Sequence, residues 1–249
     1  MFVNALIMFL KILGLIVAAA VAAELLFIIF FMLASICFSK KKDYYKPNPL
    51  AKFLLYSMTR QVLFVAGVKT HVTGLELLPE NKRFVLICNH RSNFDPITTW
   101  DALRKYDLAF ITKKENFNIP WFGHLIKACC YMDINRENPR LAIPTIEKSI
   151  CLLKDDKVSV AVYPEGTRST DMNLHEFHGA VLKIPQRAEV PLVVMTCRGT
   201  EEIHKNFPFK KSHVYLDILK VYDVEEIKKL KTFEISEKAT EDMLKVLGH

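Results

Sequence analysis

Residues 83–105 read RFVLICNHRSNFDPITTWDALRK, and the change of texture within this stretch decides the fold. After Arg83 comes an unbroken apolar run, Phe84 to Cys88, of the length and branching expected for a strand buried on both faces. A polar turn follows. Asp95-Pro96 then opens a helical pattern, with Asp suited to the N-cap and Pro to the first helical position. A buried strand that hands over directly to a helix is half of a βαβ unit. Further strand candidates are THVTGLELLP (70–79), LAFIT (108–112), KVSVAVY (157–163), PLVVMTC (191–197) and VYLDILK (214–220). Helical stretches fall between them, around 139–154 and 176–188, and the charged tail 223–247 reads as helix. This alternation predicts an α/β fold, a mainly parallel sheet covered by helices.

The N-terminus has a different composition. Residues 1–38 hold two charges, Lys11 and Glu24, which cancel, so the net charge of +7 belongs to residues 39–249. From Ile12 to Phe38 only Glu24 interrupts the apolar run, which is long enough for one tilted membrane span. Two half-membrane helices packed as a hairpin are the alternative. SKKKDYYK behind it has the character of a cytoplasmic stop, and the run is too long for a signal peptide. After Pro47 and Pro49, Leu50, Leu54, Met58, Val62 and Val65 fall at helical spacing. That helix lies either at the membrane interface or on the domain core. The expected organisation is a membrane-anchoring helix in 1–42, an amphipathic connecting helix in 43–67, and the main domain in 68–249.

A basic body behind an apolar anchor suits an anionic bilayer surface. Nucleic acid is disfavoured by that anchor and by the lack of any zinc-ligand or RNA-binding signature. The six cysteines contain no C-x-x-C and imply neither a disulfide framework nor a metal site. His175 and His178 with Asp171 and Glu176 have ligand-like spacing, yet read better as solvated residues before a helix.

Two polar stretches at strand ends carry the chemistry. In the first, the turn between His90 and Asp95 can fold the carboxylate back onto the imidazole and make His90 a general base. The competing reading is a strand-end histidine beside a helix cap. In the second, VYPEGTRS (162–169), Gly166 permits a tight backbone turn and Arg168 offers a planar fork for phosphate.

Together these stretches resemble the glycerolipid acyltransferase family. Its N-H-x4-D motif stands here as Asn89-His90-(x4)-Asp95. Its F-P-E-G-T-R-S motif stands as Tyr163 to Ser169, with Tyr in place of the leading Phe. CYMDINR (130–136) occupies the place of a third motif, keeping Arg136 but carrying Cys130 where glycine is usual. VPLVV (190–194) matches a fourth at Pro191 only, and KKENFNIPWFG (113–123) is also similar. The resemblance spans about residues 68–200 and implies the fold of the glycerol-3-phosphate acyltransferases.

It also implies a function: transfer of a fatty acyl group from an acyl thioester to the sn-2 hydroxyl of 1-acyl-glycerol-3-phosphate. His90 would be the base and Asp95 its orienting partner. Arg168 and Arg136, with Lys113 or Lys114, would hold the phosphate, and Glu165, Gly166 and Thr167 would line the acceptor site. The donor would be acyl carrier protein or coenzyme A, with no cofactor and no metal. The expected location is the cytoplasmic face of a membrane, a bacterial inner membrane before the endoplasmic reticulum. The alternatives are another acceptor, such as glycerol-3-phosphate or a different lysophospholipid, and a catalytically silent lipid-binding adaptor.

Overall fold

The structure is a computed structural model that describes residues 2–135 and 139–248. Its strands are β1 (Val68–Thr73), β2 (Val85–Cys88), β3 (Leu108–Thr112), β4 (Met132–Asp133), β5 (Ser159–Val162), β6 (Leu192–Arg198) and β7 (Ser212–Tyr222). They form one sheet in the order β1-β7-β6-β2-β5-β3-β4. Strands β2 to β6 run parallel, as a sheet built from βαβ crossovers must. β7 pairs antiparallel to β6, and β1 pairs parallel to β7, so these two point the other way.

The helices are α1 (Phe2–Ser35), α2 (Pro49–Val65), α3 (Asp95–Ala102), α4 (Phe122–Ala128), α5 (Pro139–Lys154), α6 (Gly179–Ala188), α7 (Ile203–Asn206), α8 (Val224–Lys229) and α9 (Thr232–Leu247). Strands β2, β3 and β5 are almost wholly apolar and buried, which is why each reads as a short continuous run rather than an alternation. The two-residue β4 was not legible, because a strand that short has no period. The charged tail is two helices, broken at Leu230–Lys231.

α1 is one continuous helix of 34 residues, so the hairpin alternative does not apply. It begins ten residues before Ile12, passing through Lys11, and it ends at Ser35 rather than Phe38. It is the one helix among the described residues long and apolar enough to cross a membrane. Residues 2–23 are exposed throughout, whereas Phe31 and Ser35 are buried against the body. Contact begins where Gln61 Nε2 donates to Glu24 Oε2 at 2.6 Å.

α2 packs on the domain core, one of the two readings offered for it. Asn48 caps it, its Oδ1 accepting from the amides of Leu50 (3.0 Å) and Ala51 (3.2 Å), with Pro49 in the first turn. The buried stripe is Ala51, Leu54, Leu55, Met58, Thr59 and Leu63; it includes Leu54 and Met58 of the spacing read from the sequence, whereas Leu50, Val62 and Val65 are exposed. Lys52 and Arg60 pair with Asp107 and Asp101 on the body.

Candidate active site

Three neighbouring parallel strands, β6, β2 and β5, deliver their C-terminal ends to one place. Ligand sites of open α/β sheets form there, because the loops diverge while the strands hold their bases rigid. β2 ends in Asn89-His90, β5 leads into Tyr163–Ser169, and β6 leads to Thr200.

Asp95 is fully buried. Its Oδ2 accepts from His90 Nδ1 at 2.7 Å and from the backbone amides of Arg91 (2.7 Å) and Ser92 (2.8 Å). Its Oδ1 accepts from the Thr200 hydroxyl and, at 3.5 Å, from Cys197 Sγ. A buried carboxylate surrounded by donors in this way is satisfied rather than stranded. It does not cap α3: Phe94 holds the cap position and makes no side-chain cap bond. The turn thus carries Asp95 back toward the strand end, and the capping account of Asp95 gives way to the orienting one. With Nδ1–H committed to Asp95, Nε2 is the acceptor nitrogen of the ring.

The platform beneath is built from the other motif residues. Asn89 exchanges two hydrogen bonds with the Cys197 backbone (3.0 and 2.8 Å), locking the end of β2 to β6. The Glu165 carboxylate accepts from the amides of His90 (2.7 Å) and His175 (3.0 Å), and it is only 4% exposed. Burial pushes its pKa up, against the downward pull of those two amides. Ser169 N–H returns a bond to the His90 carbonyl at 2.8 Å. Tyr163 stacks on the His90 ring at 4.3 Å and 21°, so Tyr fills the family's Phe position with the same flat surface. Gly166 has φ of +71°, which only glycine adopts without strain.

His90 opens on a cavity of about 480 Å³. Its exposed rim carries Lys113, Thr167 and Arg168, and its buried walls are Leu55, Trp100, Phe110 and Ile126. Cationic rim and apolar interior suit a molecule with a phosphate at one end and a hydrocarbon chain at the other.

Of the residues expected at the site, His90, Asp95, Lys113, Thr167 and Arg168 come together. Glu165 is turned beneath the cavity and spent on backbone amides. Gly166 lines a smaller cleft of about 90 Å³ on the other side of Tyr163. Lys114 is exposed and outside the lining. Arg136 lies outside the described residues. Asn89 was named in the motif but given no role, and Cys197 and Thr200 were not singled out. Asn89 adjoins the histidine in the chain; Thr200 is 105 residues from Asp95 and gives no local signal.

Burial raises the thiol pKa of Cys88 and Cys197, so neither is a ready nucleophile. Asp171 and His175 pair with each other at 3.0 Å, and the described residues contain no cluster of three metal-ligating side chains.

The sequence model of the family described as Acyltransferase matches residues 69–198, a little over half of the chain. The chain belongs to the acyltransferase family. A relative from Bacillus subtilis, named 1-acyl-sn-glycerol-3-phosphate acyltransferase, is 35% identical over 53% of this chain and 63% of its own length. One from Mycoplasma pneumoniae, a probable enzyme of the same name, is 29% identical over 59% of this chain and 55% of its own length. This acyltransferase-family chain spans about half the length of several of the relatives it matches. The crystal structure of the 1-acyl-sn-glycerophosphate (LPA) acyltransferase PlsC from Thermotoga maritima superposes with a TM-score of 0.60. That match covers 77% of this chain and 79% of PlsC at 24% identity, a likeness of fold.

Proposed function

We propose that the protein is a membrane-bound acyltransferase that moves a fatty acyl group from an acyl thioester to the sn-2 hydroxyl of 1-acyl-glycerol-3-phosphate, giving phosphatidate. His90 Nε2 accepts the hydroxyl proton as the oxygen attacks the thioester carbonyl. Asp95 holds the Nδ1–H and stabilises the imidazolium that forms. The tetrahedral intermediate collapses by expelling the thiolate, which recovers the proton from His90, so the enzyme ends in its starting state. Arg168 and Lys113 hold the acceptor phosphate at the rim, and an acyl chain occupies the apolar interior. Thr167 adds a hydroxyl to the rim, and Glu165 acts through the backbone it fixes.

The observation that carries this reading is the 2.7 Å bond from His90 to a buried, fully partnered Asp95 at a cavity with a cationic rim. The names of the relatives favour the same acceptor. The donor is a thioester of acyl carrier protein or coenzyme A, no metal or cofactor is needed, and α1 anchors the body at the cytoplasmic face of a membrane. This arrangement suits an acceptor and product that both stay in the bilayer.

The test is release of free thiol from an acyl thioester by full-length protein in vesicles containing lysophosphatidate. His90→Ala should lower the rate by about 10³-fold, within the range for removing a general base. Near wild-type transfer by this variant would refute the mechanism. Greater activity of the wild type on glycerol-3-phosphate would move the acceptor assignment.

A further inference from the structure

The connection from β6 to β7 contains Lys205-Asn206-Phe207-Pro208-Phe209-Lys210-Lys211. Phe209 is 96% exposed and Phe207 49%, and the three lysines are exposed with them. Bare aromatic rings set among lysines are poorly suited to water. They match a lipid interface, which takes the rings into its acyl boundary and pairs the ammonium groups with phosphates.

Two neighbours place this segment beside the elements that would meet the bilayer. On one side, Phe207 and Ile203 line a cavity of about 370 Å³ whose other wall is Phe27, Ile28 and Phe31 of the apolar helix α1. On the other, the Ser212 amide donates to the Gly67 carbonyl at 3.1 Å, just beyond the end of α2, where Phe64 is 80% exposed and Val65 49%. The apolar surface is therefore continuous from α1 through this segment to the tip of α2.

We propose that residues 205–211 form a second membrane contact, in which Phe207 and Phe209 enter the acyl boundary of an anionic bilayer and Lys210 and Lys211 meet its phosphates. The contact reaches the catalytic loop in one step. His204 packs against the Phe94 ring at 5.2 Å, and Phe94 lies within the turn between His90 and Asp95. Docking this segment holds the His90 turn at the level where a lipid acceptor presents its hydroxyl. The inference rests on the membrane-bound reading and adds a site to it.

The experiment uses the full chain carrying Phe209→Trp, reconstituted in vesicles of phosphatidylcholine and phosphatidylglycerol (3:1) with acyl-brominated phosphatidylcholine as quencher. Leu77→Trp is the control, since Leu77 is also apolar and 46% exposed but lies by Pro191, at the opposite end of the sheet. After subtraction of the wild-type signal from Trp100 and Trp121, the F209W emission should shift to the blue and lose about half its intensity to bromine near the headgroups. The L77W emission should do neither. Protein that floats with vesicles while F209W stays unquenched overturns this inference alone. Protein that does not float overturns it together with the membrane-bound reading. A blue shift that appears without vesicles and grows with protein concentration assigns the patch to a second copy of the chain, and that also overturns it.

Discussion

Glu165 shows how one side chain can matter to a site it does not face. Its two oxygens tie the amide of His90 to that of His175, so His90 is held by its own backbone as well as by Asp95. Glutamine can offer an oxygen to one amide only; its NH2 group would confront the other, leaving a buried donor unpaired at a cost of about 1–3 kcal/mol. Glu165→Gln should therefore destabilise the fold by about that amount and slow acyl transfer without weakening acceptor binding to match. The pH dependence has a definite sign. A carboxyl whose folded pKa is raised contributes stability that is fully present below its ordinary value of 4.5 and is lost as pH rises through the raised value. The difference between wild-type and E165Q melting temperatures should change with pH across that window; a difference independent of pH there would show that Glu165 does not titrate as described.

The same scale shows what can be read locally. The His90–Asp95 pair was legible because both residues sit in one turn. The Asp95–Thr200 bond was not, since it depends on β6 lying beside β2. Cys130 is an intermediate case. It departs from the family's glycine, and the structure gives the physical content of that departure: its φ is +64°, a left-handed conformation that costs a residue with a Cβ about 1–2 kcal/mol.

Among the elements, the connection between α1 and α2 does more than its lysines suggested. Read as a cytoplasmic stop, it is also docked on the body. Asp43 accepts from Lys127 of α4 at 3.1 Å and Lys148 of α5 at 3.2 Å, and Asn48 N–H donates to the Ala128 carbonyl at 2.9 Å. The hydrogen bond from Lys127, then that from Lys148, holds the Asp43 pKa below its ordinary 3.8. Its contribution is thus present above pH 3.8 and lost as pH falls through the lowered value. Pairs this exposed are worth less than about 1 kcal/mol. Asp43→Asn should accordingly raise tryptic cleavage at Lys40–Lys46 by only about two- to fivefold near neutral pH. Cleavage at the wild-type rate would mean that the connection is held without Asp43. Helix α2 shows how a spacing can find part of a buried stripe, here Leu54 and Met58, and still be rotated from it. Its apolar residues cover more than half of its circumference, so periodicity alone could not choose between the side that meets the core and the side left exposed.

For the molecule as a whole, the parallel sheet was legible because β2, β3 and β5 are short, buried apolar runs with helical pattern between them. The reversal of β1 and β7 was not, because an edge pair leaves the same apolar signature in either direction. The division of α1 is a property of the assembled chain as well. Ile12–Phe31 is 20 residues, about 30 Å of helix and the depth of a hydrocarbon core, with Lys11 at one limit. Within that length residues 12–23 are exposed, and among the described residues packing on the body begins at Glu24. Deleting residues 2–23 should therefore leave the melting temperature in detergent within about 2 °C of the full chain. Deleting residues 2–35 also removes the Glu24–Gln61 bond and the packing of Phe27 and Phe31, worth about 2–4 kcal/mol, and should lower it by about 5–10 °C. Equal losses from the two deletions would mean that the exposed half of α1 stabilises the body, and the division at Glu24 would fail.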